Sequence, residues 1–362
     1  MPDNAFLRIA FAFALAAHGP AIAGGPDAIF ENGFDPAPIV APSGTWTWVP
    51  FPETRCGNNS ATGLGINPSP SGGTRVVVFL DEGGGCWDAT TCIALQTATN
   101  YNSGYGQAKF ANDAASFLAA GFFDRTRVSN PFRDDSFVFL PYCSGDVFAG
   151  NKPSINYAGN IRSHLGYANV GAYLERIVPT FRGASRVILA GSSAGGFGAT
   201  FNWSRTQAAF GNVRVDVIDD SGTFMPPAIV PVTTTAQQAR FNNWNLAATI
   251  PADCATCADG LDNIYAYNAQ RFPNQRGALL SFRNDTTLSA FYQITTTQFA
   301  QGLDIVRAQH FDPFVTRRYF VLAGSGHVLF GNPATVGATG TTLEQFLTQM
   351  LNDDPNWVNV AP

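Results

Sequence analysis

The sequence predicts an α/β fold in which a mostly parallel sheet carries helices on both faces. Three observations predict it. Short apolar runs recur along the chain, segments with helical spacing separate them, and neither a fixed-period repeat nor a linker divides the 362 residues. Composition agrees: 45% hydrophobic residues support a large core, while 36 Gly and 23 Pro call for many loops.

The first element in order is a leader. After Arg8, an apolar run from Ile9 to Ala17 leads to Ala21-Ile22-Ala23, a small-x-small cleavage pattern. A buried N-terminal helix is the rival reading. The early position and the cleavage pattern favour a secretory signal over 1–23, with a single mature domain, 24–362, starting at Gly24 and bound for the periplasm or the outside. The run is too short to cross a bilayer, and no other stretch reaches the roughly 18 apolar residues a membrane helix needs.

An aromatic segment at 45–51 and a Gly/Asn/Pro/Ser-rich loop at 57–74 come next. Six runs then read as strands: 75–80, 136–142, 185–191, 213–219, 278–282 and 317–324. They are apolar on both alternating faces, as strands covered on both sides must be. Helical spacing occupies 110–123, 171–181, 197–210, 260–272 and 342–351.

Net charge is −5, and Lys109 and Lys152 are the only lysines. With no basic run, neither nucleic acid nor an anionic membrane surface is an expected partner. Six cysteines follow the leader, an even number that in an exported chain reads as three disulfides. Cys254 and Cys257 form a CxxC that could be half a zinc site. No second CxxC exists, and His164, His310 and His327, the histidines beyond the leader, form no ligand pair, so disulfides are preferred.

In such a sheet, ligands lie beyond the carboxyl ends of the strands. "LAGSSAGGFGAT" (189–200) follows the third run and precedes a helical segment, and it contains Gly-x-Ser-x-Gly. A serine on a sharp strand-to-helix turn needs small residues two positions away on either side. Ser193 has Gly191 and Gly195 there, whereas Ser192 has Ala190 and Ala194, so Ser193 is the candidate nucleophile. A hydroxyl needs a base, and histidine titrates nearest neutral pH. His327, in a glycine-rich loop past the sixth run, is the candidate base; His164 and His310 read as surface or satisfied residues. Asp285, just past the fifth run, is preferred as the acid over Asp219 and Asp220, which read as holding loops or lining the site. "LDEGGGCWDATTC" (80–92) offers amides for an oxyanion, from Gly84 and Gly85, together with that of Ala194. A phosphate-cradling loop would need Gly-Lys-Ser/Thr after the glycines, and none follows.

"EGGGCWDATTC", "PYCSGDVFAG" (141–150), "LAGSSAGG", Asp285 and His327, taken in order, resemble the pectin acetylesterase and Notum family of secreted carboxylesterases, over roughly Cys56 to His327. The resemblance implies an α/β-hydrolase fold, no metal or organic cofactor, and a Ser193, Asp285, His327 triad. It also implies disulfides Cys56–Cys143 and Cys86–Cys92, leaving Cys254 and Cys257 as a local pair. Unlike plant and animal members, this chain has Cys86 before Trp87, which leaves open the choice of oxyanion amide within Gly83–Gly85. Residues 222–276 carry no motif of the family and are expected to form a cap insertion.

The expected activity is hydrolysis of acyl esters through an acyl-enzyme, with an acylated carbohydrate or another ester as partner, for example in deacetylation of a polysaccharide. A polyester depolymerase is a second reading, and a non-catalytic binding protein on a hydrolase scaffold a third. The sequence leaves the oligomeric state open.

Overall fold

The computed structural model of the protein describes residues 36–362, so the expected leader lies outside the described residues. In chain order the strands are β1 (Thr47–Phe51), β2 (Thr62–Asn67), β3 (Arg75–Leu80), β4 (Ser136–Leu140), β5 (Lys152–Tyr157), β6 (Asn160–His164), β7 (Arg186–Ser192), β8 (Arg214–Asp220), β9 (Gly277–Phe282) and β10 (Arg317–Leu322). Eight of them form one sheet in the order β1-β2-β4-β3-β7-β8-β9-β10. From β4 to β10 every pairing in it is parallel, and β1 and β2 close one edge antiparallel. A separate hairpin pairs β5 with β6.

Strand β3 shows why apolar runs were required. Val76, Val78 and Leu80 point into one core, and Val77 and Phe79 into another on the opposite face. The helices α1 (Gln107–Ala115), α2 (Gly166–Thr180), α3 (Ala194–Phe210), α4 (Thr235–Asn243), α5 (Asn263–Arg271), α6 (Thr286–Tyr292), α7 (Thr296–Val306) and α8 (Leu343–Leu351) supply the covering layers. Val170 and Leu174 of α2 and Phe201 of α3 belong to the first core; Leu343, Phe346 and Met350 of α8 belong to the second. Among the described residues no helix is long and apolar enough to cross a membrane.

Several elements differ from the expectation. The loop expected at 57–74 contains β2, whose glycines are required by packing. A β-carbon on Gly65 would sit 2.2 Å from the Phe110 ring, and one on Gly63 2.2 Å from the Val49 carbonyl oxygen. The helix expected over 110–123 starts earlier and stops at Ala115, giving way to two short 3-10 turns. The hairpin β5–β6 and helices α4, α6 and α7 have no counterpart in the sequence reading.

Three disulfides join Cys56 to Cys143, Cys86 to Cys92, and Cys254 to Cys257. The first closes a separation of 87 residues, worth on the order of 4 kcal/mol in the chain-entropy model.

Candidate active site

Four segments meet beyond the carboxyl ends of β3, β7, β9 and β10. Between β7 and α3, Ser193 adopts φ 52° and ψ −115°, a conformation an L-residue reaches only under constraint. The constraint is close approach. A β-carbon on Gly195 would lie 1.9 Å from the Leu80 carbonyl oxygen, and one on Gly191 2.1 Å from that of Gly195. The turn can form only with glycine at both positions, which is the register that singled out Ser193.

His327 follows β10, and its Nε2 lies 2.8 Å from Ser193 Oγ. Its Nδ1 lies 2.7 Å from Asp285 Oδ2. Asp285 follows β9 and is fully buried; its other oxygen accepts the Leu288 amide at 2.8 Å, as the cap of α6. That bond fixes the carboxylate's orientation, so with Nδ1–H donating to Asp285, Nε2 is left as the acceptor for a hydroxyl proton. The structure thus brings Ser193, His327 and Asp285 into one hydrogen-bonded chain.

Asp219 and Asp220 hold loops. Asp220 accepts the Ser192 hydroxyl at 2.8 Å and the amides of Leu329 and Phe330 at 2.9 Å. The neighbouring Ser221 hydroxyl accepts the Val328 amide at 3.1 Å. Three consecutive amides after His327 are therefore gathered at the end of β8, an anion-binding nest with Val328 at φ 57°. Ser192 and Ser193 divide the work: one hydroxyl faces the histidine, the other ties β7 to the carboxylate that holds the histidine's loop. Burial pushes the Asp220 carboxyl above its ordinary range, against the pull of those amides. Asp219 accepts from Thr200, Tyr265 and the Gly222 amide, and burial pushes it up to about 6.

The glycine loop is held by its carbonyls. Gly83 O accepts the Thr99 amide at 2.8 Å, and Gly85 O accepts the Thr97 hydroxyl at 2.7 Å. Gly83 and Gly84 have φ of 153° and 73°, and a β-carbon on Gly84 would meet the Thr97 carbonyl oxygen at 2.3 Å. The Cys86 amide donates to Gly145 O at 2.9 Å and is therefore already engaged. Gly145 belongs to "PYCSGDVFAG", whose Asp146 accepts from Ser144 and from the amides of Phe148 and Gly166.

His164 and His310 are buried, not surface residues; His164 is satisfied at both ring nitrogens, whereas His310 Nδ1 has no partner among the described residues. His164 Nδ1 donates to Ser144 O at 2.9 Å, and its Nε2 meets the hydroxyls of Tyr157 and Tyr101; burial holds it down at about 3, hence neutral. His310 pairs with Asp262 at 3.1 Å. Cys86, Cys92 and His164 form the His/Cys cluster found among the described residues, but the two sulfurs are joined to each other and offer no thiolate.

Beside the glycine loop opens a cavity of about 490 Å³, bounded by Val147, Phe197, Phe224, Arg240, Phe291 and Tyr292 among others. Two of its wall residues touch that loop, since a β-carbon on Gly85 would lie 3.1 Å from the Phe291 ring and 3.6 Å from Val147. Segment 222–276 supplies much of its wall through α4 and its flanks. The sequence pointed to this segment as a cap but to none of these lining residues.

The family model for pectinacetylesterases matches residues 51–276. The chain belongs to the pectinacetylesterase family. Among curated relatives, palmitoleoyl-protein carboxylesterase notum2 of Xenopus laevis is 29% identical over 179 residues, covering 47% of this chain and 35% of the relative. Palmitoleoyl-protein carboxylesterase NOTUM of Drosophila melanogaster is 24% identical over 212 residues, 55% of this chain and 31% of the relative. The matched part of this pectinacetylesterase-family chain thus spans about a third of those relatives' length. A crystal structure of the Wnt deacylase Notum from Drosophila superposes with a TM-score of 0.66 at 16% identity, over 88% of this chain and 96% of the other. The shared fold is that of an α/β-hydrolase.

Proposed function

We propose that this chain is a secreted serine carboxylesterase. His327 takes the proton of Ser193 as its Oγ attacks an ester carbonyl, and Asp285 stabilises the imidazolium. The oxyanion rests on the amides of Gly84, Gly85 and Ala194; the alcohol leaves with the proton from His327, and water repeats the sequence on the acyl-enzyme. The observation that carries the reading is the hydrogen-bonded chain from Ser193 through His327 to Asp285, at 2.8 and 2.7 Å, on a strained turn.

The cavity beside the glycine loop is the acyl site in this reading, with residues 222–276 as its cap. A volume of about 490 Å³ is in the range of sites for drug-sized ligands and far exceeds what an acetyl group fills. It favours esters of longer acyl groups over the polysaccharide deacetylation expected from the sequence. The name of the two relatives, palmitoleoyl-protein carboxylesterase, points the same way. The alcohol side is a carbohydrate or another acylated biopolymer.

The test is a series of 4-nitrophenyl esters from acetyl to dodecanoyl with the wild type and Ser193→Ala. We expect kcat/KM to peak beyond acetyl and a fluorophosphonate probe to label Ser193. Undiminished hydrolysis by Ser193→Ala would overturn the mechanism, and a maximum at acetyl would overturn the acyl site.

A further inference from the structure

One cation stands in the otherwise largely apolar wall of the acyl cavity. Arg240, on α4, is 4% exposed, and its guanidinium lies 3.8 Å from the Trp87 ring centre and 4.1 Å from that of Phe291. Two acceptors meet it, the Gln237 side chain at Nη1 and the Phe291 carbonyl at Nη2. An arginine has five N–H donors. Nε is buried without a partner, and each terminal nitrogen keeps a second hydrogen. Among the described residues no carboxylate pairs with Arg240; Asp88 bears on it only through space. Burial draws the guanidinium down to about 10, which leaves it charged at neutral pH.

Another buried arginine shows the difference. Arg317, 3% exposed, likewise leaves Nε without a partner and has no paired carboxylate among the described residues, but it directs its terminal nitrogens to the carbonyls of Gln275, Thr316, Asn268 and Phe272 and to the Thr316 hydroxyl. It anchors the end of α5 and faces no large cavity. Arg240 has fewer partners at its terminal nitrogens and sits on the wall of the cavity of about 490 Å³ beside the glycine loop. A buried cation without an anion is unfavourable, and an apolar side chain of the same length would pack between the same two rings without that penalty. Such a donor set is complementary to a carboxylate, which an arginine fork grips in two places.

We propose that the acyl cavity takes an acyl group whose far end carries a carboxylate, bound by Arg240. The preferred substrates are then monoesters of dicarboxylic acids, with one carboxyl esterified at Ser193's side and the other free at the guanidinium. This inference rests on the esterase reading and deepens it.

The test compares the 4-nitrophenyl monoester of adipic acid with 4-nitrophenyl hexanoate, two acyl groups of equal length that differ in the terminal carboxylate. With the wild type we expect kcat/KM at least tenfold higher for the adipate, carried mainly by a lower KM. Arg240→Met is expected to reverse the preference. Preference of the wild type for hexanoate overturns the proposal without requiring any variant to fold. So does an unchanged ratio in Arg240→Met, even if both rates fall. Ser193-dependent hydrolysis of both esters without an adipate preference leaves the esterase reading standing and removes only this one; Ser193-independent hydrolysis removes both.

Discussion

Ser193, Asp285 and His327 stand at the carboxyl ends of three strands of one sheet, whereas Arg240, Asn243 and Trp244 belong to a stretch between β8 and β9 that contains no strand. The first group inherits its spacing from ladder registers such as Ser192 opposite Asp220. The second is placed by individual side-chain contacts. Asn243 donates to Trp87 O at 2.6 Å, Trp244 Nε1 to Cys86 O at 2.8 Å, and Arg240 stacks on Trp87. A register shared by many backbone bonds resists single changes more than a position held mainly by individual side-chain contacts does. Changes in the strand-end loops should therefore alter how fast any ester reacts, and changes in the overlying segment should alter which ester reacts.

The largest break in that contrast is Ser193→Ala, expected to lower kcat by about 10⁶ for every acyl length, since the partners cannot act without the hydroxyl. Asp285→Asn follows, with a loss of about 10⁴, because the amide no longer fixes the imidazole tautomer. Asp220→Asn should cost about 10- to 100-fold in kcat with KM nearly unmoved, as the His327 loop loses its charged anchor; a loss confined to long acyl chains would contradict this. Trp244→Phe removes one hydrogen bond from the overlying segment. It is expected to lower activity by about fivefold and to shift the acyl-length profile, which none of the preceding variants should do. Circular dichroism of each variant checks that the fold is retained.

The smallest effect at neutral pH concerns His164. Burial holds its imidazole at about 3 in the folded chain, against about 6.5 when unfolded. As pH falls the unfolded state takes up the proton first, so this contribution is intact above about 6.5 and is lost progressively towards 3. His164→Gln lacks the titration. The stability gap between wild type and variant, measured by urea unfolding, should narrow by about 2–3 kcal/mol between pH 7.5 and 4.5. A constant gap would mean that His164 is not held neutral.

The same contrast explains what the sequence made legible. The third run, read as 185–191, is β7 at Arg186–Ser192, and the fourth, read as 213–219, is β8 at Arg214–Asp220. Strands buried on both faces leave continuous apolar runs, and once those are placed the loops after them bring Ser193, Asp285 and His327 together. Helix α4, TAQQARFNN, has only Ala236, Ala239 and Phe241 as apolar residues against the core and rests on the rest of the molecule largely through arginine, asparagine and the tryptophan that follows it. Its role was therefore silent in periodicity. Strand β2 was hidden for the opposite reason: glycines that read as loop are there to admit the Phe110 ring and the β1 backbone. The work of Ser192 was equally out of reach, since it depends on a carboxylate 28 positions away.

The hydrogen bonds from Asn243 and Trp244 end on the carbonyls of Cys86 and Trp87, immediately after the glycines assigned to the oxyanion. Under the proposed function, selectivity and turnover are thereby mechanically geared. A lineage, or an engineer, remodelling the overlying segment to admit a new acyl group pulls on the loop that governs rate and needs compensating changes around residues 83–87.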